Sequence, residues 1–212
     1  HDLITFQDKV EDFVMLAAAS TGNVSIMEML LSTGENINAT ISLKNSDDLA
    51  NVIKNCIFYP KISSYHHGIN LIHTACRYGK TDIVQYLMNG YPDLVHRTSS
   101  LGLTAIHCLA CSGNIELLKD LSAEKDNICD PITQPKEKTG INIDMRDNNG
   151  ANVLHLDAEN DSKLIIKCLI ENNPSMITQN DTRGSTALHY AAKKGSVSLM
   201  ETLIQAGLDI NT

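Results

Sequence analysis

The sequence predicts an all-α protein assembled from repeated helical units, and three observations support this. Histidines recur in similar contexts at positions 73, 107, 155 and 189, and the first two and the last two are each 34 residues apart. A fixed period of this size is typical of proteins that stack small helical units. Apolar residues at 83, 84, 87 and 88 follow helical spacing. Aromatic residues make up only 4% of the chain, which suits closely packed helices.

The composition sets limits on compartment and partner. The 212 residues are 42% hydrophobic, enough to bury a core, and the net charge of -8 works against binding to nucleic acid. Six scattered cysteines lack the spacing of a disulfide framework, which predicts free thiols in the cytoplasm or the nucleus. No apolar run approaches the roughly 18 residues that a membrane span needs, so we expect no membrane insertion by this chain.

The last unit, residues 181–212, carries the fullest pattern. It contains Gly-Ser-Thr-Ala-Leu-His-Tyr-Ala-Ala from Gly184, then Gly195, an apolar helix and a closing Gly-Leu-Asp-Ile-Asn. This closely resembles the ankyrin repeat signature. Further copies are placed at about 11–39, 65–98, 99–122 and 140–180. The resemblance implies one ankyrin-repeat domain over residues 1–212, a solenoid of helix-turn-helix units joined by β-hairpin-like loops.

The two ends of the array differ in character. Residues 2–13 predict a polar-faced leading helix, and Leu16 replaces the signature histidine, as a capping unit tolerates. The last repeat is near-consensus and shows no cap of its own. We therefore expect the chain to be part of a longer protein.

Each signature residue predicts a mechanical task. Asn70, Asn152, Thr104 and Thr186 stand where a side-chain oxygen can cap the first helix of a repeat. Ala191 and Ala192 keep that helix slim, so that neighbouring repeats approach closely. Glycines suit the left-handed residue that ends it, at positions 79, 113 and 195.

Two insertions interrupt the period, at about 40–64 and 123–139. The first includes a stretch, 47–56, whose apolar residues share one helical face. The second contains Pro131 and Pro135 and predicts an exposed loop. Either insertion is tolerated surface elaboration or a contributor to partner recognition.

Several residues suggest chemistry, and the repeat pattern favours structural roles for most of them. Cys108 and Cys111 form a CxxC, yet both occupy ordinary positions of a repeat helix. The signature histidines titrate near neutrality, but their recurrence resembles the family's structural histidine, which hydrogen-bonds across turns. Asp157 occupies a position where other repeats have alanine. It indicates either a locally strained repeat or an acidic patch for a basic partner.

No phosphate loop, nucleophile elbow or metalloprotease motif is present in the sequence, so we expect no catalytic residues, no cofactor and no metal. The resemblance instead implies a non-catalytic module that binds another protein through a concave face. By position, that face comprises the hairpin tips His66, His67, Ser100, Leu101, Asn148, Asn149, Thr182 and Arg183. First helices add Arg77, Tyr78, Cys111, Ser112, Glu159, Asn160, Lys193 and Lys194.

Two alternatives stay open, and the first is a regulatory one that ranks low. It resembles the ankyrin inhibitors of Rel-family transcription factors, which are acidic stacks that mask a basic segment. Here the predicted face is mixed, because it includes Arg77, Arg183, Lys193 and Lys194. The chain could also anchor a channel or an enzyme whose active part lies outside it.

Overall fold

The computed structural model describes residues 14–40, 68–122, 142–160 and 163–210, with residues 122, 159 and 160 described by their backbone alone. The chain divides into two compact units, His1–Thr104 and Ala105–Thr212, and each is described by itself. The leading helix expected at 2–13, the helix expected at 47–56 and the second insertion all lie outside the described residues.

Helices in antiparallel pairs account for the regular structure. The first unit contains α1 (14–21), α2 (Val24–Ser32), α3 (Leu71–Arg77) and α4 (Thr81–Gly90). The second contains α5 (Ala105–Ala110), α6 (Ile115–Ser122), α7 (Val153–Asn160), α8 (Lys163–Asn172), α9 (Ala187–Lys194) and α10 (Val197–Gln205). Two short 3₁₀ helices follow α4 and α8, at Pro92–Leu94 and Pro174–Thr178. In the described ranges the extended backbone forms only isolated bridges, at Thr40–Asn70 and Arg146–Asn152. The predicted all-α class is confirmed.

The first helix of a repeat is short because both of its ends are fixed locally. At the start of α3, the Asn70 side-chain oxygen accepts hydrogen bonds from the backbone N–H groups of Ile72 and His73, both at 3.1 Å. At the end of α9, Gly195 adopts φ +78° and its N–H bonds to the Ala192 carbonyl at 3.0 Å. Gly79 and Gly113 have the same left-handed conformation, as the sequence predicts.

The second helix buries one apolar stripe. In α4, Ile83, Val84 and Leu87 are fully buried, and Met88 is partly buried. Their spacing places them on one side of the helix, so their burial removes apolar area from water while the polar side stays solvated. The stripe predicted at this position is confirmed.

Helices of like kind pack side by side within the second unit. α7 lies between α5 and α9, and α8 lies between α6 and α10. Ala158 on α7 and Ala191 on α9 are fully buried, and their small side chains allow neighbouring first helices to approach closely. Ala192 was expected at a similar contact and is exposed, since α9 has a described first helix on only one of its sides.

In two repeats the asparagine that caps the first helix also hydrogen-bonds to the proline-led turn after the second helix. The Asn70 amide donates to the carbonyl of Leu94 at 3.4 Å, in the turn after α4. The Asn152 amide donates to the carbonyl of Met176 at 3.3 Å, in the turn after α8. Each bond spans 24 residues and ties the start of the first helix to the end of the second. Asparagine therefore does more here than the predicted capping.

The loops between repeats are tight and share one hydrogen-bond pattern. In the loop from Ser99, the Ser99 N–H bonds to the Leu103 carbonyl and the Gly102 N–H bonds to the Ser99 carbonyl, both at 2.9 Å. The loops that begin at Asp147 and Asp181 repeat this pattern. These are the β-hairpin-like connections that the sequence predicts. We call them the hairpins, and the two residues after the first are their tips.

Neighbouring hairpins in the second unit also touch each other. The Thr182 N–H bonds to the Asn149 carbonyl at 2.8 Å. A Cβ atom added to Gly150, at φ +73°, would lie 3.1 Å from the Thr182 nitrogen, whereas one added to Gly184, at φ +80°, would meet nothing within 4 Å. Gly150 therefore serves both the turn and the close approach of the next hairpin, and Gly184 serves the turn alone.

This difference predicts unequal costs for the same substitution. Gly184→Ala is expected to lower the free energy of unfolding by about 1 kcal/mol through its positive φ. Gly150→Ala is expected to lower it by about 1 kcal/mol more, because the added methyl group also crowds backbone that cannot retreat. Urea denaturation of the two variants measures the difference, and equal losses would contradict the close approach.

Candidate interaction surface

The signature histidines link one repeat to the next hairpin. In the first unit the His73 Nε2 lies 2.9 Å from the Leu103 carbonyl oxygen, 30 residues along the chain. In the second unit the His155 Nε2 lies 3.1 Å from the Ser185 carbonyl oxygen, also 30 residues along. A carbonyl only accepts, so Nε2 donates to it. Nδ1 faces the capping asparagine of its own helix: it lies 3.3 and 3.2 Å from the backbone nitrogen and 2.7 and 2.6 Å from the side-chain oxygen, in His73 and His155 respectively. The structural role expected for these histidines is confirmed.

Burial favours the neutral form of two of the signature histidines, His155 and His107. It lowers the pKa of His155 below the ordinary value of 6.5, although the Ser185 carbonyl and the Asp181 charge act to raise that pKa. Burial also lowers the pKa of His107, against the opposing effects of Asp147 and of the backbone of Ala151. A buried imidazolium lacks the hydration it has in the unfolded chain, so folding opposes protonation.

These lowered pKa values predict a loss of stability in mild acid. As the pH falls below about 6.5, these histidines bind protons in the unfolded chain but not yet in the folded chain. The free energy of unfolding therefore decreases with falling pH until the lower pKa of the folded state is passed. We expect His155→Ala to be about 2 kcal/mol less stable at neutral pH, because buried polar groups lose their partner. Its further loss towards pH 5.5 should be smaller than that of the unmodified chain.

Urea denaturation at about pH 7.5 and about pH 5.5 provides the measurement. His96→Ala is the matched control, because His96 is exposed. This control should keep the full pH dependence. If all three proteins show the same pH dependence, the lowered pKa of His155 does not contribute to the loss of stability in mild acid.

The backbone of each hairpin is held from inside by the side chain of its first residue. The Asp181 Oδ1 accepts from the N–H groups of Arg183 and Ser185, both at 2.8 Å. Asp147 holds Asn149 and Ala151 in the same way, at 2.9 and 2.8 Å. Ser99 substitutes its hydroxyl oxygen, which accepts from Leu101 and Leu103. The sequence analysis missed this role, although an acid or serine three residues before each hairpin glycine was a visible signal.

The tips themselves face solvent. Ser100 is exposed and Leu101 is partly exposed in the first unit. In the second unit all four tip residues are exposed: Asn148, Asn149, Thr182 and Arg183. His66 and His67 lie outside the described residues. The hairpins thus combine a fixed backbone with tip side chains that are open to contact.

The predicted positions on the first helices are also accessible where they are described. Arg77 and Tyr78 are partly exposed at the end of α3, and Tyr78 has a raised pKa because of burial, partly offset by the Arg77 charge. In the second unit, Cys111 and Ser112 are partly exposed, and Lys193 and Lys194 are exposed. Glu159 and Asn160 belong to α7, and their side chains lie outside the description.

Asp181, Tyr190 and Arg183 form a hydrogen-bonded cluster beside the last hairpin. The Tyr190 hydroxyl donates to the Asp181 Oδ2 at 2.9 Å, and the Arg183 Nη2 lies 3.4 Å from both the same oxygen and the Tyr190 oxygen. The Tyr190 ring packs edge-on against His155, with 5.2 Å between ring centroids. Burial raises the pKa of Asp181, but the hydrogen bonds from Ser185, Tyr190 and Arg183 prevail and lower it to about 2.

Removing the Tyr190 hydroxyl should therefore remove one hydrogen bond that stabilises the ionised Asp181 carboxylate. We expect Tyr190→Phe to raise the pKa of Asp181 and to lower the free energy of unfolding by about 1 kcal/mol at neutral pH. In the unmodified chain this contribution is complete above the unfolded value of 3.8 and is lost as the pH falls towards about 2. A carboxyl-detected NMR titration of Asp181 measures the shift, and an unchanged titration would contradict the hydrogen bond.

The other residues considered for chemistry occupy structural positions. Cys108 is buried, and the Cys111 sulfur lies 3.8 Å from the His107 carbonyl; both are free thiols. Burial raises the pKa of the Cys76 thiol to about 12, so that cysteine is unreactive. Among the described residues, no group of three or more histidine, cysteine or acidic side chains is placed to hold a metal ion.

Asp157 does not belong to a surface patch. Its side chain is fully buried in α7, so it presents no charge to solvent. The acidic-patch interpretation is therefore wrong for this residue. Its position at a small-residue site of a first helix fits the strained-repeat interpretation, because burial of a carboxylate is costly.

Capped helix pairs, tight hairpins and histidine links from one repeat to the next define a helical repeat protein of the interaction type. Comparison with family models identifies the repeat. The model described as "Ankyrin repeats (3 copies)" matches residues 41–134 and 136–212, and the model described as "Ankyrin repeat" matches residues 14–42. The chain belongs to the ankyrin repeat family. Ankyrin repeats are non-catalytic protein–protein interaction modules, and this coarse function applies to the chain.

Curated relatives share the repeats at low identity. The chicken nuclear factor NF-kappa-B p105 subunit is 26% identical over 152 residues, which cover 68% of this chain and 14% of that protein. The Drosophila melanogaster transient receptor potential cation channel subfamily A member 1 is 22% identical over 236 residues, covering 97% of this chain and 18% of the channel. A putative ankyrin repeat protein of fowlpox virus is 24% identical over 216 residues, covering 92% and 39%.

The chain therefore spans well under half the length of each of these three relatives. None of the helices in the described ranges combines the length and apolar character that crossing a membrane requires.

Proposed function

We propose that this chain binds a protein partner through its hairpin tips and the exposed sides of its first helices. One observation carries the proposal. In all three described hairpins an Asp or Ser side chain fixes the backbone from within, while the tip residues are left partly or fully exposed. A surface that is already ordered loses little conformational entropy when a partner binds, so more of the contact energy appears as affinity.

The strongest contacts are expected around the end of α3 and the hairpin after it. Aromatic and arginine side chains supply most of the energy at protein interfaces, and Tyr78 and Arg77 adjoin each other there. Tyr78 is partly buried, so part of its ring packs against the chain while the rest stays exposed. Leu101 adds a partly exposed apolar tip. These three residues are our choice of interface hot spots.

The setting of the module is proposed as cytoplasmic or nuclear. The described cysteines are all free, and Cys76, Cys108 and Cys168 are buried as thiols, which suits a reducing compartment. We also propose that the module serves a longer protein as a scaffold, adaptor or regulatory recognition domain, because its relatives are much longer than the chain.

The same relatives support the two alternatives. The p105 subunit relative is in line with a module that masks a basic segment of a transcription factor. The channel relative is in line with an ankyrin anchor of a channel or enzyme. The first alternative ranks lower, because the exposed candidates Arg77, Arg183, Lys193 and Lys194 are basic and would repel a basic segment.

Affinity capture tests the placement of the surface. The 212-residue chain, immobilised and incubated with cell extract, should retain a defined set of proteins, identified by mass spectrometry. The double variant Tyr78→Ala with Leu101→Ala is expected to lose at least about tenfold in retention, since two hot-spot truncations each cost about 1 kcal/mol or more.

The matched control is Tyr86→Ala with Leu164→Ala. It removes the same two side-chain types from second helices, where Tyr86 is partly exposed and Leu164 is 67% exposed. This control should retain the partners. Unchanged capture by Tyr78→Ala with Leu101→Ala, or equal loss in both double variants, would reject the proposed surface.

A further inference from the structure

A shallow depression with a basic lining lies beside the last hairpin. Its volume is about 240 Å³, it opens to solvent, and it is lined by Arg183, Ser185, His189, Tyr190 and Lys193. Three of these described lining residues have basic side chains and none is acidic. In a chain with a net charge of -8, such a grouping is a local exception.

Arg183 is supported in this depression although its side chain is 72% exposed. Its Nη2 is anchored by the Asp181 carboxylate and the Tyr190 hydroxyl. Tyr190 is in turn held by its bond to Asp181 and by its edge contact with His155. The other guanidinium N–H groups of Arg183 have no hydrogen-bond partner among the described residues. The cation is thus positioned before any ligand arrives.

The Asp181 carboxylate pairs with one N–H group of Arg183 from inside the hairpin and is not among the residues that line the depression. The Asp181 side chain is fully buried. Its Oδ1 accepts from the N–H groups of Arg183 and Ser185, and its Oδ2 accepts from Tyr190 and Arg183. Both oxygens are therefore engaged inside the hairpin, while Lys193 and the adjacent Lys194 add positive charge at the surface.

His189 adds a further polar group to the lining. Unlike the buried His155, it is exposed. Its Nδ1 accepts from the Thr186 N–H at 3.2 Å, and its Nε2 has no hydrogen-bond partner among the described residues. The ring nitrogen that links repeats elsewhere is here accessible to a ligand.

We propose that this depression binds the carboxylate of an acidic side chain carried by a protein partner. The planar fork of an arginine matches a carboxylate with two parallel hydrogen bonds, and Lys193 adds a second positive charge. An acidic segment is otherwise repelled by this acidic chain, so the depression fixes where such a segment can dock. The inference rests on the proposed function and deepens it by naming the chemistry of the partner.

Titration with a defined peptide tests the inference. The probe is an acetylated hexapeptide of alternating glutamate and glycine, added at low salt to the ¹⁵N-labelled 212-residue chain and followed by NMR. We expect amide shifts centred on Arg183 and Lys193. The dissociation constant should increase by about fivefold in Arg183→Gln and in Lys193→Gln, since exposed charged pairs are partly screened.

Two controls separate local binding from net charge. Lys167→Gln removes one positive charge from the exposed face of α8 and should leave the dissociation constant unchanged. A peptide with glutamine in place of glutamate should not bind. Arg183→Lys keeps the charge without the fork and should give an intermediate constant, and the amide spectra report whether each variant is folded.

Equal weakening in Lys167→Gln, binding of the glutamine peptide, or shifts away from Arg183 would overturn the inference. These outcomes are distinct from failure of the proposed function, which concerns Tyr78 and Leu101 in the first unit. If capture depends on those two residues but the peptide does not bind, only the inference fails. If the peptide binds as expected but capture does not depend on Tyr78 and Leu101, the acidic-segment site stands and the proposed hot spots are wrong.

Discussion

The hydrogen bond from a buried histidine to the carbonyl of the next hairpin is the interaction on which the described structure depends. It reaches 30 residues along the chain in both units, from His73 to Leu103 and from His155 to Ser185. The same ring also accepts from the N–H that begins its own helix. One side chain therefore sets both where a helix starts and where the following loop lies. For His155, burial lowers the pKa and so favours the neutral ring.

A second set of hydrogen bonds lies within each hairpin and fixes its backbone. The first residue of the hairpin, Asp or Ser, satisfies backbone N–H groups that would otherwise need water. Around Asp181 these bonds extend outward to Tyr190 and Arg183, so a feature of the fold also orients a surface cation. The proposed partner surface is in this way continuous with the bonds that hold the loops.

Much of the fold was predictable because the signals are local and repeated. Gly79, Gly113 and Gly195 were assigned from their position at helix ends, and Ile83, Val84 and Leu87 from helical spacing, and all behave as predicted. The acceptor of each histidine hydrogen bond could not be predicted from the sequence, because local patterns do not identify a carbonyl group 30 residues away. The burial of Asp157 also depended on packing that periodicity does not reveal.

The candidate surface was predictable only in outline. A repeat pattern marks which positions vary, and the described ones are accessible, but variable positions carry no signal of the partner's chemistry. The cluster of Asp181, Tyr190 and Arg183 joins residues two and nine apart. Such a cluster depends on the turn geometry, and for that reason composition and spacing did not reveal it.

The hairpins have a consequence for how such a chain can change. Their conformation is set by the first residue, the fourth-position glycine and main-chain atoms, including the Thr182 N–H that bonds to the Asn149 carbonyl. The bonds that close each turn use the backbone N–H groups of Leu101, Asn149 and Arg183. Asn149 and Arg183 add side-chain bonds to the same carboxylates that receive those N–H groups. Replacing a tip residue therefore removes at most such added bonds and leaves the backbone bonds of the turn in place.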